Sequence, residues 1–125
     1  MRLLLDTDAA LWWAAGDARR FGREARRRVN ESANEVLLSA VVVWEIAVKR
    51  SLGKLEVRGD LVGALLEGGA EPLPVTLEHA AAVEHLPWNH RDPFDRLLVA
   101  QAVVESATLV SNDDAVRAYG VPTVW

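Results

Sequence analysis

Short continuous apolar runs alternate along this chain with longer stretches whose apolar positions recur at helical spacing, the pattern of buried parallel strands and amphipathic helices. The runs predict strands at residues 2–5, 36–38, 72–75, 109–111 and 123–124. Between the first two, Asp6-Thr7-Asp8 supplies capping side chains for a short helix at 9–15 that ends near Gly16. Residues 22–33 predict a second helix, with Ala25, Val29 and Ala33 on one stripe and Arg23, Arg26 and Arg27 on the other face. Ser39 is placed to cap a helix at 40–50, a shorter one at 61–66 stops at Gly68-Gly69, and Thr76 caps another that runs through 84. Asp92-Pro93-Phe94-Asp95 is a strong helix start, with an acid at the cap, proline in the first turn and an acid at the third position. The helix it opens runs to about residue 105 and is apolar on most sides, as a central buried helix should be. A last short helix at 113–118 closes at Gly120. Strands and helices in alternation predict an α/β fold: a parallel sheet with helices on both faces.

Four carboxylates break this apolar pattern. Asp6 follows Leu3-Leu4-Leu5, Glu45 interrupts the apolar run 40–48, Asp95 opens the run 97–104, and Asp113 follows Leu109-Val110. In an open parallel sheet, sites form beyond the carboxyl ends of the strands, which puts Asp6 and Asp113 on one edge. Each acid has a plainer structural account. Asp6 and Asp113 would serve as helix caps, although Thr7 and Asp8 in one place, and Ser111 and Asn112 in the other, are available for that role. Asp95 would serve as the third-position acid of a helix capped by Asp92. Glu45 has only Lys49 at i+4, an ion pair worth a few tenths of a kcal/mol on a helix surface and poor compensation for a buried charge. Carboxylates gathered without matching cations repel one another. Hard divalent ions such as Mg²⁺ or Mn²⁺ relieve that repulsion, and one or two of them can activate water against a phosphodiester.

Composition narrows the picture further. The 125 residues are enough for one domain with its own core, here taken as 1–125. No stretch approaches the roughly 20 apolar residues of a membrane span. Asp6 arrives too early for a signal peptide, and cysteine is absent, so a cytoplasmic protein without thiolate chemistry is the expectation. A net charge of −4 disfavours a general electrostatic grip on nucleic acid, an objection that bound metal would soften locally. The arginines at 19, 20, 23, 26, 27 and 28 read first as a solvated helix face and second as a site for RNA phosphates or an acidic partner. Trp12, Trp13 and Trp44 read as core or interface rather than base-stacking platforms. His79, His85 and His90 show no metal-binding spacing and read as single surface residues.

Several segments resemble the PIN-domain ribonucleases of VapC type, the toxins of bacterial toxin–antitoxin pairs. They are Leu4-Leu5-Asp6-Thr7, Ser39-Ala40-Val41-Val42-Val43-Trp44-Glu45-Ile46, the long run His90-Arg91-Asp92-Pro93-Phe94-Asp95-Arg96-Leu97-Leu98-Val99-Ala100-Gln101-Ala102, and Leu109-Val110-Ser111-Asn112-Asp113. Their order and spacing carry the likeness over essentially the whole chain. The resemblance implies a PIN-like three-layer α/β/α sandwich around a small, mostly parallel sheet. It implies a catalytic, metal-binding set of Asp6, Glu45, Asp95 and Asp113, with Mg²⁺- or Mn²⁺-dependent endonucleolytic cleavage of RNA. It also implies a VapB-like antitoxin partner and a homodimer. Where the nearest subgroup has histidine after the Asp-Thr pair, this chain has Asp8, read as a cap of the first helix rather than a fifth acid at the metal. Thr7 and Ser111 are candidate polar neighbours of the site.

Rival readings remain. Leu-Leu-Leu-Asp-Thr-Asp also looks like the opening motif of haloacid-dehalogenase-type phosphatases, with Asp6 as nucleophile and Asp8 as general acid, but the later lysine and acidic Gly-Asp motif are missing. A catalytically inactive PIN domain that only binds its partner, and a DNA-cleaving nuclease of related fold, are the others.

Overall fold

Leu3, Leu4 and Leu5 expose no surface at all, as a strand covered on both faces requires. In the computed structural model, which describes residues 1–125, they form β1 (Arg2–Leu5) at the centre of a wholly parallel sheet. The other strands are β2 (Glu35–Ser39), β3 (Glu71–Leu73), β4 (Thr108–Val110) and β5 (Thr123–Val124), in the order β3-β2-β1-β4-β5. The chain first steps outward from β1 to β2 and β3, then crosses back to β4 and β5 on the other side. Because such crossovers are right-handed, the two directions place their helices on opposite faces, and the result is an α/β/α sandwich. The change of direction lies between β1 and β4, paired in the register Leu5↔Val110.

The helices are α1 (Thr7–Ala15), α2 (Arg23–Asn30), α3 (Ala40–Ser51), α4 (Leu61–Glu67), α5 (Leu77–Ala82), α6 (Pro93–Glu105) and α7 (Asp114–Arg117), with a 3-10 turn at Val83–His85. No helix is long and apolar enough to cross a membrane. As its composition predicts, α6 is buried, and it packs against both α3 and α5. The second helix stops at Asn30, short of the expected residue 33. Glu31 is already extended, and Asn34 turns its side-chain amide onto the Arg28 carbonyl at 2.9 Å, taking an acceptor that further helix would have used. Ala33 is consequently exposed rather than part of a buried stripe. The third strand stops before Val75, because its pairing with β2 runs out at Ser39↔Leu73.

A buried polar cluster joins the helices that carry the acids. Ser39 caps α3 by accepting from the Val41 N–H at 3.0 Å, and its hydroxyl donates to Gln101 Oε1 of α6 at 2.5 Å. The Gln101 amide donates in turn to the Pro74 carbonyl at 3.3 Å, and no buried side-chain polar atom is left without a partner. Gln101 thus fixes the spacing of α3 and α6. Its replacement by leucine leaves the Ser39 hydroxyl and the Pro74 carbonyl without this partner, and should cost about 2 kcal/mol or more of folding stability. Urea denaturation of Gln101→Leu measures this, and a midpoint equal to wild type would show that the network is dispensable.

Candidate active site

Asp6 is the first residue past β1. Its N–H donates to the Val110 carbonyl at 3.1 Å, continuing the β1–β4 ladder by one rung. Its carboxylate caps α1, accepting the Ala9 N–H on Oδ1 at 2.8 Å, so the cap is Asp6 itself, and Asp8, expected there, falls in the first turn. At the end of β4 the same device recurs. Asp113 caps α7 through Ala115 N–H at 2.9 Å, and its own N–H donates to Ser111 Oγ at 3.1 Å. Ser111 is fully buried, and its hydroxyl lowers the Asp6 carboxyl against the effect of burial.

The other two acids come from helices. Glu45 is only 7% exposed on α3. Thr7 donates to its Oε1 at 2.8 Å, and Lys49 donates to its Oε2 at 2.5 Å. The acids therefore do have one matching lysine, and the ion pair that looked like weak compensation is formed with good geometry beside a second hydrogen bond. Asp95 stands in the first turn of α6, where its N–H donates to the capping Asp92 at 3.0 Å, as the motif predicts.

Charge ties these groups into one neighbourhood. Burial pushes the Asp6 carboxyl up to about 6, assisted by the negative charges of Asp8 and Asp95 and opposed by the bonds from Ser111 and Ala9. The Asp95 carboxyl is likewise pushed up to about 6, by burial first and then by Asp92, with smaller contributions from Asp113 and Glu45, against a bond from His90. Burial raises Asp8 as well, with Glu45 and Asp113 adding to it, although Lys49 pulls it down. The oxygens are nevertheless not gathered into a ready-made cage: no three acidic or histidine side chains stand close enough to ligate one ion. The shared field is the better guide to what the edge accepts, and a carboxylate set with unmet negative charge fits a hard divalent cation.

Two histidines depart from the expected surface role. His79 is buried, accepting the Thr76 N–H on Nδ1 at 3.0 Å and meeting Glu105 through Nε2 at 2.8 Å. His90 bridges Tyr119 Oη at 2.7 Å and Asp95 Oδ2 at 3.2 Å, which brings it into the acidic site. Only His85 is exposed. The five-residue step from His90 to Asp95 within one motif was the available signal, whereas nothing marked Tyr119. The arginine segment behaves as a solvated face, with Arg27 paired to Glu24 and Glu31, and Arg28 to Glu24. Trp12 packs edge-on against Trp125, whereas Trp44 is half exposed and rests on Phe94 at a centroid distance of 4.6 Å.

None of the four acids lines the molecule's main concavities. An apolar hollow of about 450 Å³ is walled instead by residues such as Val43, Val62, Leu66 and Leu73. The acids lie outside these hollows, at the carboxyl edge of the sheet. An open α/β sheet with acids beyond the carboxyl ends of its strands, at the switch point, defines the general class of protein. Residues 3–122 match the family model of the PIN domain, and the chain belongs to that family. Ribonuclease VapC22 of Mycobacterium tuberculosis (strain ATCC 25618 / H37Rv) is 29% identical over 129 residues, covering 98% of both chains. Among solved structures, VapBC2 from Rickettsia felis, bound to a DNA fragment from its promoter, superposes with a TM-score of 0.72 at 16% identity, covering 99% of this chain and 98% of that one. DNA-bound VapBC from Salmonella typhimurium gives 0.69 at 16% identity, covering 99% and 97%. With the family known, the phosphatase reading of Asp6 and Asp8 is set aside.

Asp6 and Asp95 bind protons more tightly in the folded chain than at their ordinary value of 3.8. Their contribution to stability is therefore full below about pH 4, declines as pH rises towards 6, and stays lost above it. Asp6→Asn keeps a good cap but removes the charge. Without divalent metal it should gain about 1–2 kcal/mol at pH 7.5 and almost nothing at pH 4. Urea melts at the two pH values in EDTA test this, and equal changes at both would contradict the electrostatic account.

Proposed function

We propose that this chain is a VapC-type endoribonuclease, the toxin of a toxin–antitoxin pair, which hydrolyses RNA phosphodiester bonds with Mg²⁺ or Mn²⁺. The observation that carries this reading is the pair of acids, buried Asp6 and part-buried Asp95, pushed up to about 6 at the carboxyl edge of a PIN fold. The ribonuclease name and near-full coverage of the 29% identical relative support the choice of RNA. Asp6, Asp95 and Asp113 would hold the cation, with Glu45 completing the set. When bound, the ion supplies a water of lowered pKa and polarises the scissile phosphate. The capping bonds to Asp6 and Asp113 fix one oxygen of each carboxylate and leave the other for the ion. Thr7 and Lys49 hold Glu45 in one orientation, and the lysine offsets part of the local negative charge that would repel RNA. The acids stand on one domain, 1–125, placed in the cytoplasm by this reading. The open edge suits an RNA strand, and the VapBC assemblies among the structural relatives support a VapB-like antitoxin that covers it. A homodimer belongs to the same reading.

The test is cleavage of a mixed cellular RNA pool by antitoxin-free protein, with Mg²⁺ or Mn²⁺, beside EDTA and Asp95→Asn controls. Discrete fragments should appear only with metal and should fall by at least about a hundredfold in Asp95→Asn, as when a group acting in the transition state is removed. Intact folding with neither cleavage nor Mn²⁺ binding would instead leave an inactive, partner-binding PIN domain.

A further inference from the structure

Asp95 stands at the end of a chain of side chains that runs from Arg96 through Tyr119 and His90. Arg96, next to Asp95 in sequence, is buried at 3% exposure. Its Nη1 donates to the Pro87 carbonyl at 2.8 Å and to Tyr119 Oη at 3.1 Å, and its guanidinium lies 3.9 Å from the centroid of the Trp88 ring. A guanidinium only donates, so the Tyr119 oxygen is an acceptor there and its hydrogen is free to turn elsewhere. At the far end, an ionised Asp95 only accepts, so the His90 Nε2 that faces it at 3.2 Å carries a hydrogen. In the neutral ring, with its single N–H on Nε2, Nδ1 is the acceptor of the Tyr119 hydroxyl at 2.7 Å; in the imidazolium Nδ1 donates to the same oxygen, and Nε2–H faces Asp95 in both forms. In the neutral ring the order is therefore Arg96 to Tyr119, Tyr119 to His90, His90 to Asp95.

The chain is also mechanically anchored. Tyr119 follows α7, the helix that Asp113 caps, and His90 lies in the segment leading into α6. A second bond, from the Asn89 amide to the Ala118 carbonyl at 3.1 Å, holds the same two segments together. The elements that carry Asp113 and Asp95 are therefore clamped to each other at this point.

We propose that His90 is a positioning residue, held in its Nε2–H form by Tyr119 and Arg96, which fixes the Asp95 carboxylate through Oδ2 and leaves Oδ1 for the cation. The proposal rests on the metal-site reading of the acids. Partners that orient a ligating carboxylate commonly contribute about 10–100-fold to metal affinity or activity. A role confined to folding would touch neither.

The experiment uses the full antitoxin-free chain. Long-range ¹H–¹⁵N spectra of the imidazoles, recorded without metal, should show His90 as the Nε2–H tautomer in wild type and as a mixture in Tyr119→Phe. Mn²⁺ titration by calorimetry should then give about a 10–100-fold weaker affinity for His90→Ala, with thermal unfolding close to wild type, and partial recovery in His90→Gln, whose amide N–H can reach the carboxylate. Tyr119→Phe should fall between wild type and His90→Ala. Wild-type Mn²⁺ affinity in His90→Ala, or an Nδ1–H tautomer in the native chain, would overturn the proposal. Failure of the underlying site reading looks different, because Asp95→Asn would then also bind Mn²⁺ as wild type does.

Discussion

Pairing of β1 with β4 is the constraint from which the site follows. The two strands are more than a hundred residues apart, yet Leu5 stands opposite Val110 and the Asp6 N–H bonds the Val110 carbonyl at 3.1 Å. Since β1 sits at the reversal of strand order, the helices that leave β1 and β4 depart to opposite faces and open a crevice between their first turns. Asp6 and Asp113 cap those helices, which keeps both carboxylates at the mouth of the crevice. A slip of one residue in this pairing would invert the faces of β4 and move Ser111 away from Asp6.

The four acids are not held in the same way. Glu45 is compensated inside the protein, by Thr7 and by the Lys49 ammonium. Asp6 and Asp95 have hydrogen bonds but no adjacent cation, and burial, with the neighbouring acids, pushes both up to about 6. Stability is thus given up at neutral pH where negative charge is concentrated without a cation, a pattern common where a site must attract a charged ligand. Two families of bonds limit how far the acids can separate. Gln101 ties α6 to the start of α3, and His90 with Asn89 ties the entry to α6 to the end of α7.

Most element positions were legible because apolar runs and capping residues are local signals. Asp92-Pro93 marked the start of α6 and Ser39 that of α3, both as found. The departures came where a distant group decided. The second helix yielded to the Asn34 amide, and the third strand ended where its neighbour's pairing stopped. His79 carried no periodic signal, and its burial depends on Glu105 at the far end of another helix.

For the site, the sequence by itself determined which acids interrupt apolar segments, since an unpaired carboxylate in such a place is costly whatever the fold. It also determined that two of them follow strands, which in a parallel sheet assigns them to one edge. Only the tertiary structure decided how each acid is held: that Asp6 and Asp113 cap helices, that Lys49 reaches Glu45, and that His90 lies between Tyr119 and Asp95. Those relations depend on direction and distance between side chains far apart in the chain. Hydrogen bonds and charge interactions change steeply with both, so no local pattern encodes them.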